Sequence, residues 1–151
     1  KDELYMLLII RNERMLLEMI QDTKKAFPEH LAFFMLHHLH HPERTALFHQ
    51  IEERLSTTGQ GIQLLFSELY KVRRQRLRII IRMTESYLLD INSTMTTRDY
   101  LASIWSLTYG AAVILNSSFY QRYLGSRDSL RVAYIDQALG LPKQIEYLAN
   151  G

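Results

Sequence analysis

The spacing of apolar residues constrains this chain more than any other feature. They recur three and four positions apart along nearly its whole length, and no stretch alternates apolar with polar between turn signals as a half-buried strand would. Such spacing lines one face of an α-helix, so the expected fold is all-α, an antiparallel bundle of about six helices in one domain over 1–151. With 151 residues, 47% of them hydrophobic, the chain has enough apolar side chains for a sizeable core.

Punctuation divides the helices. The first is expected from about Asp2 to about Ala26, with Asp2 and Glu3 in its first turn, where the helix dipole favours negative charge, and a stop before Pro28. Pro28 opens a second helix, about Glu29 to His40, and Pro42 a third carrying Ala46, Leu47, Ile51 and Leu55. Ser56 to Gly61 reads as a loop. A long fourth helix follows from about Ile62 to about Ile91, with Ile62, Leu65, Leu69, Val72, Ile80, Met83, Tyr87 and Ile91 as its inner stripe and Arg76 inside that stripe. Thr96 or Thr97 can cap the next helix, expected to continue to about Tyr123, and a last one runs from about Ser129 to Leu139, ended by Gly140 and Pro142.

Charge and composition narrow the function classes. Eighteen Lys and Arg against sixteen Asp and Glu leave a net charge of +2, without the basic excess of a module that lives on phosphates. Zero cysteines remove disulfides, thiol catalysis and thiolate metal sites. The longest apolar run, Leu4 to Ile10, is far shorter than the roughly 20 residues that span a bilayer, so a cytoplasmic domain without membrane segments is expected. Gly-rich phosphate loops, nucleophile-elbow and zinc-protease motifs are absent, and no catalytic residues are expected. His37, His38 and His41 bring imidazoles to helical spacing but supply too few ligands, so neither a metal nor another cofactor is expected.

Four strings, in order, point to one family. Lys1-Asp2-Glu3-Leu4-Tyr5, the junction Leu39-His40-His41-Pro42-Glu43-Arg44 followed by Phe48, the segment Tyr100 to Ala112 with Trp105 and Gly110, and Ile135 to Leu141 resemble segments of the tetracycline-repressor (TetR) family of transcriptional regulators. Tyr109 stands where that pattern usually has His. The resemblance covers essentially the whole chain. It implies the C-terminal effector-binding and dimerisation domain of such a regulator, a homodimer that takes a small, apolar or aromatic effector. Operator DNA would be held by a helix-turn-helix head upstream of residue 1.

An effector domain of this kind needs a cavity walled by apolar and aromatic groups with a few polar atoms. The candidates are Phe33, Phe34, His37, Phe66, Tyr70, Met83, Tyr87, Trp105 and Tyr109, which could equally pack against one another as core. Arg76 joins them because an Arg on an apolar stripe must find an anion, a set of carbonyls or water. An acidic ligand would serve, as would a pair with Glu68 or Glu52, or an escape to the edge of the stripe. Gly110, Ala111 and Ala112 let two helices approach closely, within the subunit or across a two-fold axis. With Ile114, Leu130 and Tyr134, Gly110 and Ala111 form the expected dimer contact. The rival readings are a His-cluster metal enzyme and a helical scaffold with a filled interior.

Overall fold

A computed structural model of the chain describes residues 1–58 and 61–150, and of 144–150 the helical backbone. Among the described residues the chain forms seven helices and no strands: α1 (Asp2–Ile20), α2 (Phe27–Leu39), α3 (Pro42–Thr58), α4 (Gln63–Asp90), α5 (Thr97–Asn116), α6 (Ser118–Gln121) and α7 (Arg127–Asn150). It is an all-α bundle. Among the described residues no helix is long and apolar enough to cross a membrane.

The helices end where local chemistry stops them. α1 finishes at Ile20, six residues before the expected Ala26, in a turn where Asp22 accepts from the Lys24 amide (3.0 Å) and His30 Nε2 donates to the Asp22 carbonyl (2.9 Å). α3 runs on through Thr58 into the expected loop, because the hydroxyls of Ser56, Thr57 and Thr58 bond back to the carbonyls of Glu53 and Arg54. α4 closes with Asn92 in the left-handed conformation (φ 56°), its amide bonded to the Leu89 carbonyl and that of Ser93 to Leu88. Asparagine is among the few residues besides glycine that tolerate this cap. Thr96 caps α5 by accepting from the Asp99 amide at 3.1 Å. α5 breaks at Ser117, short of the expected Tyr123, since Ser117 turns extended and its hydroxyl caps the short α6.

Two clusters form the core. Met6, Ile9 and Ile10 of α1 pack with Ile51 and Leu55 of α3 and with Ile62 and Leu69 at the start of α4. The second joins Leu31, Met35 and Leu39 of α2, Leu88 of α4, Tyr100, Ile104, Ala111, Ala112 and Leu115 of α5, and Ala138 of α7. Contacts advance together along α1 and α4: Met6 to Ile10 meet the start of α4, Glu13 meets Arg73 and Arg76, and Leu16, Met19 and Ile20 share a cleft with Ile80 and Met83. These two helices therefore run in the same direction, which the crossover through α2 and α3 permits.

Pro142 does not end the last helix but lies inside α7, buried. A proline there removes the amide that would bond the carbonyl four residues earlier, which is that of Ala138. The Tyr100 hydroxyl, fully buried, donates to that carbonyl at 2.8 Å and takes the place of the missing N–H. Ser93 Oγ also donates to the Pro142 carbonyl (3.3 Å), tying the α4–α5 turn to the same point. An unpartnered buried carbonyl costs about 1–3 kcal/mol. Tyr100→Phe is therefore expected to lower unfolding free energy by about that amount in urea titrations. Pro142→Ala in the same chain should recover part of the loss, because it restores the amide that Ala138 lacks.

Candidate functional site

The apolar cleft of the bundle lies where the C-terminal part of α1, the start of α2, the middle of α4 and the first half of α5 converge. Leu16, Met19 and Ile20 form one wall, Phe27, Leu31, Phe33 and Phe34 a second, Ile80 and Met83 a third, and Leu101, Ile104 and Trp105 the last. The room within it is about 60 Å³, and about 670 Å³ only when the solvent over its open mouth is counted. α1 supplies its wall because its apolar stripe continues to Ile20, and α2 because Pro28 starts a helix carrying Phe and Leu on successive turns. The polar groups on the lining are His30, Lys25 and Arg76; His30 is engaged with Asp22, while Lys25 Nζ stands 4.2 Å from the centre of the Phe33 ring.

Arg76 is buried, and its anion comes from α1. Its Nε donates to Glu13 Oε2 at 3.0 Å, and both side chains are 8% exposed. Arg73, one turn earlier, bridges Glu13 (3.1 Å) and Glu52 of α3 (2.7 Å). Two guanidiniums and two carboxylates thus link α1, α3 and α4. The expected partners of Arg76 are otherwise engaged: Glu52 with Arg73, and Glu68 with Arg14 at 2.7 Å. Glu13 is not among the residues that apolar spacing singles out, yet it sits on the stripe of Met6, Ile9, Ile10 and Leu16, where a charge needs a buried counter-charge. The Arg76 guanidinium also lies 5.8 Å from the Phe34 ring, at the floor of the cleft.

Arg76, Ile80 and Trp105 stand between this cleft and a second cavity lined by His49, Glu52, Arg73, Leu77 and Tyr109. Behind it a polar recess adds Asn12, His38, Arg44 and Thr45. Tyr109 keeps 37% of its surface, turned to these cavities; desolvation pushes its hydroxyl up.

Of the ligand-site residues expected from sequence, Phe33, Phe34, Arg76, Met83 and Trp105 come together in the cleft. The rest lie elsewhere. Phe66 and Tyr70 are neighbours on α4 (ring centres 5.7 Å apart), with Phe66 against the first core cluster and Tyr70 41% exposed. Both precede the stretch of α4 that reaches the cleft. Tyr87 stacks on Phe27 (4.4 Å) in the second cluster, behind the wall that Phe27 presents. His37 bonds Asn12 (2.7 Å), its backbone carbonyl takes the Arg44 guanidinium (3.0 Å), and Tyr109 faces the second cavity.

Residues expected at a dimer contact differ in their burial within the chain. Ala111 is buried in the chain's own core. Gly110 is exposed, with open space where a Cβ would point; Ile114 is half-buried, and Leu130 and Tyr134 pack partly against the second cluster.

His30, His37 and His38 each hydrogen-bond within the bundle. Among the described residues no group of three His, Asp or Glu side chains is placed to hold a metal ion. Thr45 Oγ1 donates to the His38 carbonyl (3.1 Å) and so accepts from His38 Nδ1 (3.0 Å), which leaves Nε2 without a proton and, among the described residues, without a partner. Burial, with lesser repulsion from His37, Arg76 and Arg44, holds His38 well below its ordinary 6.5, at about 3. Burial and the neighbouring Arg44 and His41 hold His37 at about 4.

A comparison with protein-family models gives no match, and a comparison with curated proteins gives none.

Two predictions arise from this electrostatics. The unfolded chain takes up protons at His37 and His38 near 6.5 while the folded chain takes them up only near 4 and 3, so stability is full above about pH 6.5 and falls as pH drops through that window. The slope reaches about 1.4 kcal/mol per pH unit for His38, and urea melts between pH 7 and pH 4 should show a shallower fall in His38→Leu. Glu13→Ala, which strands Arg76, should cost about 3 kcal/mol or more. Glu13→Gln should cost less, because the amide oxygen still accepts from Arg76.

Proposed function

We propose that the chain is the effector-sensing and dimerisation domain of a TetR-like transcriptional regulator that works in the cytoplasm and is not an enzyme. The observation that carries the sensing half is the apolar cleft, walled by aromatic and aliphatic side chains from four helices and floored by one buried guanidinium. Few, convergent polar groups in an apolar recess suit a small organic molecule rather than a macromolecule. The four family-like strings support the regulatory half, since the first opens α1, the second is the α2–α3 junction, the third lies in α5 and the fourth in α7.

In this reading the effector enters between α1, α2, α4 and α5 and favours one packing of α1 on α4 over another. A ligand shifts such an equilibrium only through its different affinity for the two packings, and operator affinity then changes by the same factor. A head that holds DNA would precede α1, so a change in α1 reaches it directly. Association would use the exposed apolar positions of the last helices, with Val113 of α5 58% exposed and Val132 of α7 59% exposed.

The test has two parts. The neutral dye N-phenyl-1-naphthylamine should brighten on binding the chain, and Met83→Trp, which fills one wall of the cleft, should abolish that signal while leaving the melting transition cooperative. Undiminished dye binding by the variant would overturn the cleft as the effector site. For the regulatory half, sedimentation should give a dimer that Val113→Asp with Val132→Asp dissociates. The coding sequence before residue 1 should read as a helix-turn-helix, and a cleft-filling ligand should alter operator retardation by the protein that includes it. Operator affinity unchanged by a bound ligand would refute the regulatory reading.

A further inference from the structure

We propose that the apolar cleft takes a ligand with a carboxylate on an apolar body, and that the terminal nitrogens of Arg76 hold the carboxylate. The inference rests on the cleft being the ligand site and adds the chemical class of what fills it.

The first observation is the sign of the lining. Two charged side chains line the cleft, Lys25 and Arg76, and both are cations; no carboxylate lines it among the described residues. The second is how little of the Arg76 guanidinium is used. Its Nε donates to Glu13, whereas among the described residues its two terminal nitrogens make no hydrogen bond, and neither is sealed off from accessible space. Arg76 itself is only 6% exposed, and it lines both the cleft and the second cavity. A planar fork of paired donors matches the two oxygens of a carboxylate, a geometry an alcohol or amine cannot use.

The third is charge balance beyond the cleft floor. Arg73 and Arg76 are offset by Glu13 and Glu52, and Arg44, half-buried in the recess behind them, adds a third guanidinium whose hydrogen bonds run to the carbonyl and ring of His37 and not to an acid. Three cations against two anions leave the region short of one negative charge. A carboxylate supplies it, and the apolar walls of Leu16, Ile20, Phe34, Ile80 and Trp105 lower the local dielectric in which the pair would form. Lys25, paired loosely with Asp22 at 3.6 Å, stands over Phe33 as a second cation facing an approaching anion.

The experiment is a calorimetric titration of the chain with three probes of equal apolar length, sodium octanoate, octan-1-ol and octylammonium chloride. Octanoate should bind about tenfold or more tighter than octanol, the margin expected when a charge-assisted pair replaces a neutral hydrogen bond. Octylammonium should bind no tighter than octanol. Glu13→Gln combined with Arg76→Gln removes both partners together, so no buried charge is stranded, and should erase the preference for octanoate. Met83→Trp should weaken octanoate and octanol alike, which a carboxylate caught by surface cations would not show. Equal affinities for octanoate and octanol, or a preference that survives the double variant, would overturn the proposal. If octanol and the neutral dye bind but octanoate gains nothing, the carboxylate assignment fails and the cleft reading stands. If none of them binds, both fail.

Discussion

A single carboxylate on the first helix organises much of this bundle. Glu13 interrupts a stripe of Met6, Ile9, Ile10 and Leu16 that would otherwise bury without charge, and desolvating it is tolerable only because Arg76 and Arg73 reach it from α4. Hydrophobic burial is non-directional, so apolar residues alone would let α1 slide or turn on α4 at modest cost. The ion cluster removes that freedom, since each misplacement would leave a charge without its partner in a medium that screens poorly. Arg73 extends the restraint to Glu52 and so to α3.

The cleft follows from this placement. With α1 held beside α4, its last turns project Leu16, Met19 and Ile20 across from Ile80 and Met83, and α2 closes the space with Phe27, Phe33 and Phe34. The same guanidinium that locks the helices forms the cleft floor. The pair that joins α1 to α4 therefore shares one side chain with the lining of the cleft.

What could be read from the sequence were the features whose physics is local. Apolar spacing was enough for the helical class, Pro28 and Pro42 for two helix starts, and Thr96 for a cap, because each is settled within a few residues. The early end of α1 was hidden, as it depends on His30 reaching back eight positions to the Asp22 carbonyl. Five of the expected ligand residues gather in the cleft, since a helical stripe does mark the inward face. Phe66, Tyr87 and His37 turn inward at other heights along the bundle, Tyr70 is exposed and Tyr109 faces the second cavity, because height depends on which helices cross where. Arg76 stood out on its own helix, whereas its partner lay 63 residues away on a helix whose direction relative to α4 no periodicity reveals.

The last helix illustrates how a local rule yields to a distant donor. Pro142 marks a helix end by every short-range criterion, and α7 passes through it because Tyr100 brings a hydroxyl to the Ala138 carbonyl. That repair has a mechanical consequence. One donor and one acceptor can meet in a single register, so α7 can neither screw along its axis nor tilt away from α5 without exposing an orphaned carbonyl, and Ser93 clamps the far side of the same turn. The α5–α7 pair is thereby a stator.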